Sequence, residues 1–455
     1  MDEIGRRLHE LAQEEKAWLV RVRRDLHRHP EPAWAEYRTA ALCAQTLEEC
    51  GFAVRLGRDA LLPQARPRRP DPRTVRREQA RAAAQGAAAR WLERMPDGLT
   101  GLWGDLELAG PPAGEPADDE PGPLIVFRFD MDANAGICEC REPDHAPAAE
   151  GFASCRDDAM HACGHDGHVA IGLGLARLLA ALRPELETRF RGRIRLVFQP
   201  AEEEGEGAPG MVAAGAVDGA SRLFGLHLSM QAGVSGSLVC GTTHFLATTN
   251  FEVFFDGRAA HAGLAPQEGR NALLAACTAC TALLGIARHG EGASRINVGE
   301  MRGGEAPNAI PAHAWFRGET RGETSDINGF MMAEARRMVQ GAARMHGCTA
   351  RLLCQSYCPG ASSHPELTAL VERVAEEMGG FTHIMPRAEF RASEDCCWFM
   401  NKVEEDGGQA VYLQLGADRP SGHHTPRFTF DENVLPRGVE LLARLALATL
   451  ARRDG

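Results

Sequence analysis

The chain has 455 residues, of which 44% are hydrophobic and 25% are charged, and its formal net charge is −12. This length suggests two or three domains, and the composition is typical of a globular enzyme rather than a fibre or a disordered chain. The acidic balance argues against a nucleic-acid partner, because no excess of basic side chains is available to replace phosphate counterions.

Neither secretion nor membrane insertion is expected from the sequence. The N-terminal residues are charged and no run of 18 apolar residues occurs, so we predict no signal peptide and no membrane span. The 14 cysteines are too sparse for a disulfide scaffold in a chain of this length. We therefore expect a cytoplasmic protein with reduced thiols.

The first part of the chain predicts two helices, a strand and an insertion. Apolar residues at helical spacing predict helices over 2–28 and 33–50, and a strand begins at Phe52. Residues 59–122 are rich in Pro and Arg, with a helix near 73–94, and we interpret them as an insertion rather than a domain. Their arginines could guide an anionic substrate, but a solvated helix face is the simpler interpretation.

Helices and strands then alternate, which is the signature of an α/β fold. Strands are predicted at 124–129, 193–198, 223–228 and 410–415, and helices at 169–182, 365–378 and 431–450. Between them, residues 246–355 follow the order β-α-β-β-α-β of a compact α+β domain. We therefore predict an α/β catalytic domain with a mixed, mostly parallel sheet over 1–245 and 356–455, and an inserted α+β domain over 246–355.

The densest cluster of reactive side chains is Cys163-Gly164-His165-Asp166-Gly167-His168, preceded by His161. Cys163 and His165 would diverge on a helix, but they can converge on one ion in an extended loop before a helix that starts near Val169. The N-terminus of that helix would favour a thiolate. A lone Cys-x-His pair is usually not a ligand set, and the neighbouring histidines and Asp166 strengthen the metal interpretation.

Glu202 and Glu203 follow a predicted strand and Pro200. At such an edge adjacent side chains diverge, so one carboxylate can bind a metal while its neighbour faces an attacking water. A run of three glutamates is often only a solvated acidic turn. The preceding apolar strand argues for the functional interpretation, because α/β folds keep their sites at the carboxyl ends of strands.

Further candidates are scattered along the chain. His227 ends one predicted strand, and His423-His424 follow another, although single loop histidines are more often structural. His261, Asn308 and Arg321 lie in the inserted domain and are candidates for contacts with an oxyanion or with substrate. The alternative for Arg321 is a surface salt bridge.

Four motifs together carry a family resemblance: Cys163-Gly164-His165-Asp166-Gly167-His168, Pro200-Ala201-Glu202-Glu203, Ala260-His261-Ala262-Gly263 and His424-Thr425-Pro426-Arg427-Phe428. The chain resembles, over nearly its whole length, the M20 metallopeptidase-like amidohydrolases, in the branch of hippurate and indole-acetyl-amino-acid hydrolases. The resemblance implies two divalent metal ions, Mn²⁺ by family habit or Zn²⁺ by ligand type. The implied ligands are Cys163, His165, Glu203, His227 and His424.

The same resemblance implies roles for other residues. Glu202 would be the general base, and Asp130, Asp132 and Asp166 would lie behind the ligands and orient them. The inserted domain would be a lid that pairs with a second subunit, giving a homodimer or a heteromer with a homologous chain. His261 would then act in trans at the scissile carbonyl, while Asn308 and Arg321 would hold the substrate carboxylate.

The implied reaction is hydrolysis of the amide bond of an N-aroyl or N-acyl amino acid, with p-aminobenzoyl-glutamate as the preferred candidate. Two alternatives remain: a general N-acyl-amino-acid hydrolase, and a non-catalytic subunit that completes a partner's site. Glu204 makes the register of the glutamate pair ambiguous, and Leu228-Ser229-Met230 depart from the family pattern after His227. These departures leave the substrate open.

Overall fold

The computed structural model describes residues 3–110 and 122–451. They divide into two compact units. The larger unit comprises the described residues of 3–243, 362–389 and 398–451, and the inserted unit comprises 244–361 and 390–397. Residues 390–397, which the sequence analysis assigned to the catalytic domain, therefore group with the inserted unit.

The larger unit contains most of the helices and strands. Before the inserted unit they are α1 (Glu3–Glu14), α2 (Lys16–Arg28), α3 (Tyr37–Glu49), β1 (Ala53–Leu56), α4 (Pro72–Ala84), α5 (Ala89–Leu92), β2 (Leu102–Ala109), β3 (Leu124–Asp130), β4 (Asn134–Ala135), α6 (Ala146–Ala149), β5 (Ala159–Met160), α7 (His165–Glu187), β6 (Arg191–Gln199), α8 (Gly207–Ala213), β7 (Ala220–Leu228) and β8 (Ser237–Thr243).

The inserted unit follows, and the chain then returns to the larger unit. The inserted elements are β9 (Ala247–Asp256), β10 (Ala260–His261), α9 (Ala272–Leu284), β11 (Ser294–Gly303), β12 (Ala309–Ile310), β13 (His313–Gly322), α10 (Ser325–Met345) and β14 (Thr349–Cys358). The last elements of the chain are α11 (Pro365–Met378), β15 (His383–Glu389), α12 (Cys396–Glu405), β16 (Gln409–Leu415) and α13 (Leu435–Leu450).

An eight-stranded sheet forms the centre of the larger unit, in the order β1-β2-β6-β3-β7-β16-β8-β15. Its four central strands, β6, β3, β7 and β16, run parallel. β2 pairs antiparallel with β6, and β8 pairs antiparallel with β16. The predicted fold class, an α/β domain with a mixed, mostly parallel sheet and an inserted α+β domain, is confirmed. Because parallel strands end at the same edge of a sheet, the last residues of β3, β6 and β7 lie together at the carboxyl edge.

The inserted unit has its own sheet and its own core. Its four strands lie in the order β11-β13-β9-β14, with every neighbouring pair antiparallel. Buried residues of α9 and α10, among them Ala276, Leu283 and Met331, pack with Phe251 and Phe316 of the sheet. β10 and β12 form a separate two-stranded ladder beyond the end of β9.

The start of α7 differs from the prediction. The helix begins at His165 rather than near Val169, so no extended loop contains both Cys163 and His165. Gly164, between them, has a left-handed backbone with φ 98°, which turns the chain directly into the helix. The first helical turn carries buried polar side chains, and these hide the apolar periodicity from which a helix start is read.

Other differences have similar causes. The predicted helix over 2–28 is interrupted at Glu15, and the helix near 73–94 is two helices, α4 and α5. β2, β8, β15 and α12 were not predicted. β2 is a strand of the central sheet and lies within the predicted insertion of residues 59–122, of which 111–121 lie outside the described residues. β15 exposes most of its side chains and contains Pro386, so it shows no alternation of apolar and polar residues.

Two expectations about membranes and cysteines can be compared with the structure. Among the residues that the structure describes, no helix combines the length and apolar character needed to cross a bilayer. All 14 cysteines lie within the described residues, and none of them forms a disulfide.

Close packing of α7 on the sheet yields a stability prediction. A Cβ added at Gly172 would lie 2.7 Å from Cδ2 of the buried Phe129, whereas one added at Gly329 in α10 would meet nothing within 4 Å. We expect Gly172→Ala to lower the free energy of unfolding by about 1–3 kcal/mol, because α7 must move off β3. Gly329→Ala, the matched control, should raise it by up to about 1 kcal/mol through helix propensity. Urea unfolding followed by circular dichroism measures both, and equal effects would contradict the packing argument.

Candidate metal centre

Five side chains predicted as ligands converge at the carboxyl edge of the parallel strands. They fall into two groups, and within each group the candidate ligand atoms lie within 4.8 Å of one another. One group is Cys163, His165 and His227; the other is Cys163, Glu203 and His424. The thiol of Cys163 belongs to both, so it could contribute to holding either of two ions.

The two buried imidazoles of the first group have their tautomers fixed by backbone carbonyls. Nδ1 of His165 donates to the carbonyl of Asp132 at 2.8 Å, and Nδ1 of His227 donates to the carbonyl of Leu228 at 2.8 Å. Each Nε2 therefore presents a lone pair. Nε2 of His227 lies 3.5 Å from Sγ of Cys163, and Nε2 of His165 is buried without a hydrogen-bond partner.

The second group joins the glutamate turn to the C-terminal loop. Nε2 of His424 lies 3.3 Å from Oε2 of Glu203, while Oε1 of Glu203 is buried without a hydrogen-bond partner. The backbone of His424, with φ 58°, donates its N–H to the carbonyl of Ala162, next to Cys163. Clustered sulfur, imidazole and carboxylate donors, of which Nε2 of His165 and Oε1 of Glu203 are buried without a hydrogen-bond partner, fit a pair of divalent cations.

Asp132 holds the glutamate turn from behind. Its Oδ1 accepts from the backbone N–H of Glu202 and its Oδ2 from that of Glu203, each at 3.0 Å. The same residue's carbonyl orients His165. One buried residue therefore fixes both the candidate base and two candidate ligands.

Asp130 holds a different part of the centre. Its Oδ2 accepts from Nη1 of Arg128 at 2.7 Å, and its Oδ1 accepts from Nδ1 of His168 at 2.5 Å. Nε2 of His168 accepts from the backbone N–H of Leu228 at 2.9 Å, beside His227. Because both ring nitrogens of His168 are used, this histidine supports the site and is not a candidate ligand.

Asp166 has a role different from the prediction. Its Oδ2 lies 3.0 Å from Nε of Arg23 and 2.8 Å from Nδ1 of His27, two buried side chains of α2. Neither of these partners is a candidate ligand. Asp166 thus anchors the first turn of α7 to α2 instead of orienting a ligand directly.

Burial and mutual contact shift the pKa values of these groups. Burial raises the pKa of the Cys163 thiol, and the Glu203 carboxylate adds to that effect. Burial, with His168 and His423 nearby, lowers the pKa of His227 well below its usual value, so this imidazole stays neutral. Hydrogen bonds to Cys163 and Glu203 raise the pKa of His424 to about 10.

His261 and Asn308 lie side by side in the inserted unit. His261 pairs with Ala309 in the β10–β12 ladder, and the carbonyl of Asn308 accepts from the N–H of Ala262. Nδ1 of the exposed His261 accepts from the N–H groups of Gly263 and Leu264, both at 3.1 Å. Nε2 therefore carries the proton, which leaves His261 as a hydrogen-bond donor to a partner.

Arg321 lies at the other end of that unit's sheet. From His313 to Arg321, β13 runs alongside β9 from Asp256 to Thr248, a span of roughly 26 Å at about 3.3 Å per residue. The guanidinium is paired with Glu319 through contacts of 2.9 and 3.0 Å, which is the surface ion pair considered as the alternative. His261 pairs with Ala309, which precedes His313 at the opposite end of β13 from Arg321.

Sequence reasoning missed two contributors to the glutamate turn. The guanidinium of Arg68, in the insertion, lies 3.3 Å from a carboxylate oxygen of Glu204 and 3.3 Å from one of Glu206, so Glu204 faces the insertion. Glu36 is fully buried and accepts from the N–H of Ala201 at 2.8 Å. No local signal marks Arg68 or Glu36, because their partners lie far away along the chain.

Comparisons with known proteins indicate the same family as the sequence motifs do. A family profile described as Peptidase family M20/M25/M40 matches residues 126–448. The chain belongs to this family. The family predicted from the sequence is thereby confirmed, and so is its hydrolase class.

Individual relatives are similar over almost their whole length. The chain is 41% identical over 449 residues, 98% of each chain, to one of the subunits of p-aminobenzoyl-glutamate hydrolase from Escherichia coli (strain K12). It is 42% identical over 431 residues, 94% of this chain and 95% of the relative, to indole-3-acetyl-aspartic acid hydrolase of Enterobacter agglomerans. A crystal structure of the aminobenzoyl-glutamate utilization protein from Klebsiella pneumoniae matches with a TM-score of 0.80 and 36% identity, covering 98% of this chain and 100% of that one.

Raised pKa values in the centre predict that cation binding releases protons. A ligand must lose its proton to bind, and the pKa values of Cys163 and His424 are both raised. The apparent affinity for Mn²⁺ or Zn²⁺ should therefore increase as the pH rises from about 6.5 to 8.5. Calorimetric titration in buffers of different ionisation enthalpy counts the protons. Cys163→Ala should release about one fewer proton than the wild type, and an unchanged count would contradict a thiolate ligand.

Proposed function

We propose that the chain is a dinuclear metal amidohydrolase that cleaves p-aminobenzoyl-glutamate to p-aminobenzoate and glutamate. The observation that carries the proposal is the pair of donor groups sharing Cys163, with the Glu202 carboxylate 3.7 Å from Nε2 of His165. The similarity to a p-aminobenzoyl-glutamate hydrolase chain over 98% of both sequences supports the substrate.

In this proposal Cys163, His165, Glu203, His227 and His424 hold two divalent cations. When bound, the cations would lower the pKa of a water molecule and polarise the amide carbonyl. Mn²⁺ is favoured by family habit, and the sulfur and imidazole donors equally suit Zn²⁺. Metal analysis of protein purified without added cations distinguishes them.

Glu202 is the proposed general base. Its backbone is fixed by Asp132, and its carboxylate oxygen faces the same space as Nε2 of His165. From that position it would accept a proton from the attacking water and pass it to the leaving nitrogen. Glu203, the next residue, faces His424. Both carboxylates lie 3.7 Å from Nε2 of His165, and Glu203 also reaches Nε2 of His424, which supports a ligand role for Glu203 and leaves Glu202 for the water.

His261 is the proposed donor to the developing oxyanion, acting from a partner chain. Its Nε2 carries a proton and lies on an exposed strand. His261 lies in the β10–β12 ladder and Arg321 near the far end of β13, and this separation supports a site that takes them from two chains. Asn308 and Arg321 would contact the substrate carboxylate, Arg321 through the edge of its guanidinium not occupied by Glu319. The partner is a second copy or a homologous chain, bound through the inserted domain that the sequence predicts over residues 246–355.

A general N-acyl-amino-acid hydrolase is the second candidate. The equal similarity to indole-3-acetyl-aspartic acid hydrolase favours it, because that relative's name contains a different acyl group. A panel of amides with aroyl and indole-acetyl groups on glutamate, aspartate and alanine separates the two.

A non-catalytic subunit is the third candidate function. An isolated chain that binds no cation and cleaves none of these amides would favour it. The absence of disulfides is in keeping with a cytoplasmic location.

Replacing one carboxylate oxygen of the base tests its role. Glu202→Gln should retain both cations and the wild-type fold, but lower kcat by about 10³-fold, because an amide cannot accept the proton. Glu204→Gln is the matched control: its carboxylate contacts Arg68 on the surface, and kcat should stay within about 3-fold. Release of p-aminobenzoate and metal analysis are the measurements. An active Glu202→Gln enzyme, or an inactive Glu204→Gln enzyme with its cations bound, contradicts the assignment.

Mixing two inactive variants tests action in trans. If the partner is a second copy, differently tagged Glu202→Gln and His261→Ala chains expressed together should form mixed dimers with one intact site. Such a population should recover about one quarter of wild-type activity. Native mass spectrometry verifies that mixed dimers form. Mixed dimers without activity would show that His261 serves the site of its own chain, and an active His261→Ala chain would show that it serves no site.

A further inference from the structure

A second buried carboxylate, Glu36, lies behind the glutamate turn. Its side chain is fully buried. Oε1 accepts from the backbone N–H groups of Trp34 at 3.0 Å and Ala201 at 2.8 Å, and Oε2 accepts from the hydroxyl of Thr100 at 2.7 Å. The carboxylate therefore joins three separate segments of the larger unit.

Both residues whose amides reach Oε1 have left-handed backbones, which side chains other than glycine rarely adopt. Trp34 has φ 65° and Ala201 has φ 53°. Such conformations persist only where the surroundings fix them. Glu36 contributes to that fixation by binding the N–H of Ala201, the residue directly before the proposed base Glu202, while the carbonyl of Ala201 accepts from the N–H groups of Glu206 and Gly207.

Together, Glu36 and Asp132 hold three consecutive amides of one turn. Glu36 accepts from Ala201, and Asp132 accepts from Glu202 and Glu203. Asp132 acts on the two residues that carry the chemistry, whereas Glu36 sets the unusual φ at which the chain enters them. The direction in which the Glu202 side chain leaves the backbone depends on both.

We propose that Glu36 is a positioning residue for the general base: it fixes the left-handed Ala201 and thereby aims the Glu202 carboxylate at the reacting water. The inference rests on the proposed function in so far as Glu202 is the base. A displacement of about 1 Å of such a group costs on the order of 100-fold in rate. Glu36 is fully buried and belongs to neither group of candidate ligands, so its loss should affect kcat more than KM.

Burial, with the Asp132 carboxylate adding to it, raises the pKa of Glu36 to about 8. Burial thus favours the uncharged, protonated form of this side chain. A glutamine has nearly the same shape as that protonated form and keeps an oxygen for the amides of Trp34 and Ala201. Its amide N–H groups can donate to the hydroxyl of Thr100. Glu36→Gln is therefore the conservative variant that should restore the turn.

Glu31 is a matched control within the same segment. It is also buried, 2% exposed. It also accepts three hydrogen bonds: from the N–H of Arg38 and from the N–H and hydroxyl of Thr39, at 2.8, 2.8 and 2.9 Å. All three donors lie at the start of α3 and none lies in the glutamate turn. Truncating Glu31 removes an equivalent network without touching Ala201.

The experiment compares Glu36→Ala, Glu36→Gln and Glu31→Ala in the cation-loaded full chain. Glu36→Ala should lower kcat by about 100-fold with KM within about 3-fold and both cations retained. Glu36→Gln should return kcat to within about 5-fold of wild type, and Glu31→Ala should stay within about 3-fold while losing comparable thermal stability. Glu36→Asp, which is too short to reach the same amides, replaces Glu36→Ala if that variant does not fold.

Hydrogen–deuterium exchange gives a readout that needs no activity. Peptides covering 200–207 should exchange at least about 10-fold faster in Glu36→Ala than in wild type, and unchanged in Glu31→Ala. Equal losses of kcat in the two alanine variants, or unchanged exchange of that turn in Glu36→Ala, would overturn the inference. A wild-type protein that cleaves no amide of the panel refutes the proposed function instead, and the exchange measurement still decides whether Glu36 holds the turn.

Discussion

The backbone of one short turn positions the two reactive glutamates of the candidate site, and the carboxylate of Asp132 binds the amides of both. Asp132 accepts from the consecutive amides of Glu202 and Glu203 with its two oxygens, and its carbonyl orients His165. A carboxylate with two amide donors and a fixed backbone cannot rotate without breaking several hydrogen bonds at once. The relative positions of the base, a glutamate ligand and an imidazole ligand are thus set by one residue at the end of β3.

The parallel sheet makes this arrangement possible. β3 and β6 are adjacent and end at paired residues, Asp130 and Gln199, so the segments that follow them meet. Asp132 comes two residues after one strand end, and Glu202 three residues after the other. Short connections of this kind leave little freedom, which explains how an apolar sheet can hold polar side chains within a fraction of an ångström.

Some of this could be read from the sequence, because it is local. Cys163, His165 and the Glu202–Glu203 pair lie in dense motifs, and buried strands such as Leu124–Asp130 are continuous apolar runs. Contacts between distant segments could not be read: nothing near Glu36 indicates that its partner is Ala201. The start of α7 was misplaced because His165, Asp166 and His168 are polar for the sake of the site and interrupt the helical pattern. The contacts of Asp166 could not be read from the sequence either, because its partners Arg23 and His27 lie in α2, far away along the chain.

Two imidazoles of the candidate centre, His165 and His227, have their protonated nitrogen bound to main-chain oxygens, those of Asp132 and Leu228. In many metal proteins that contact comes from a carboxylate side chain, which a single mutation can remove. A carbonyl of the main chain is present whatever residue occupies the position. Substitution of the surrounding side chains should therefore leave the ring orientation of these two histidines unchanged. The pocket wall can then vary in sequence while the lone pairs keep their direction.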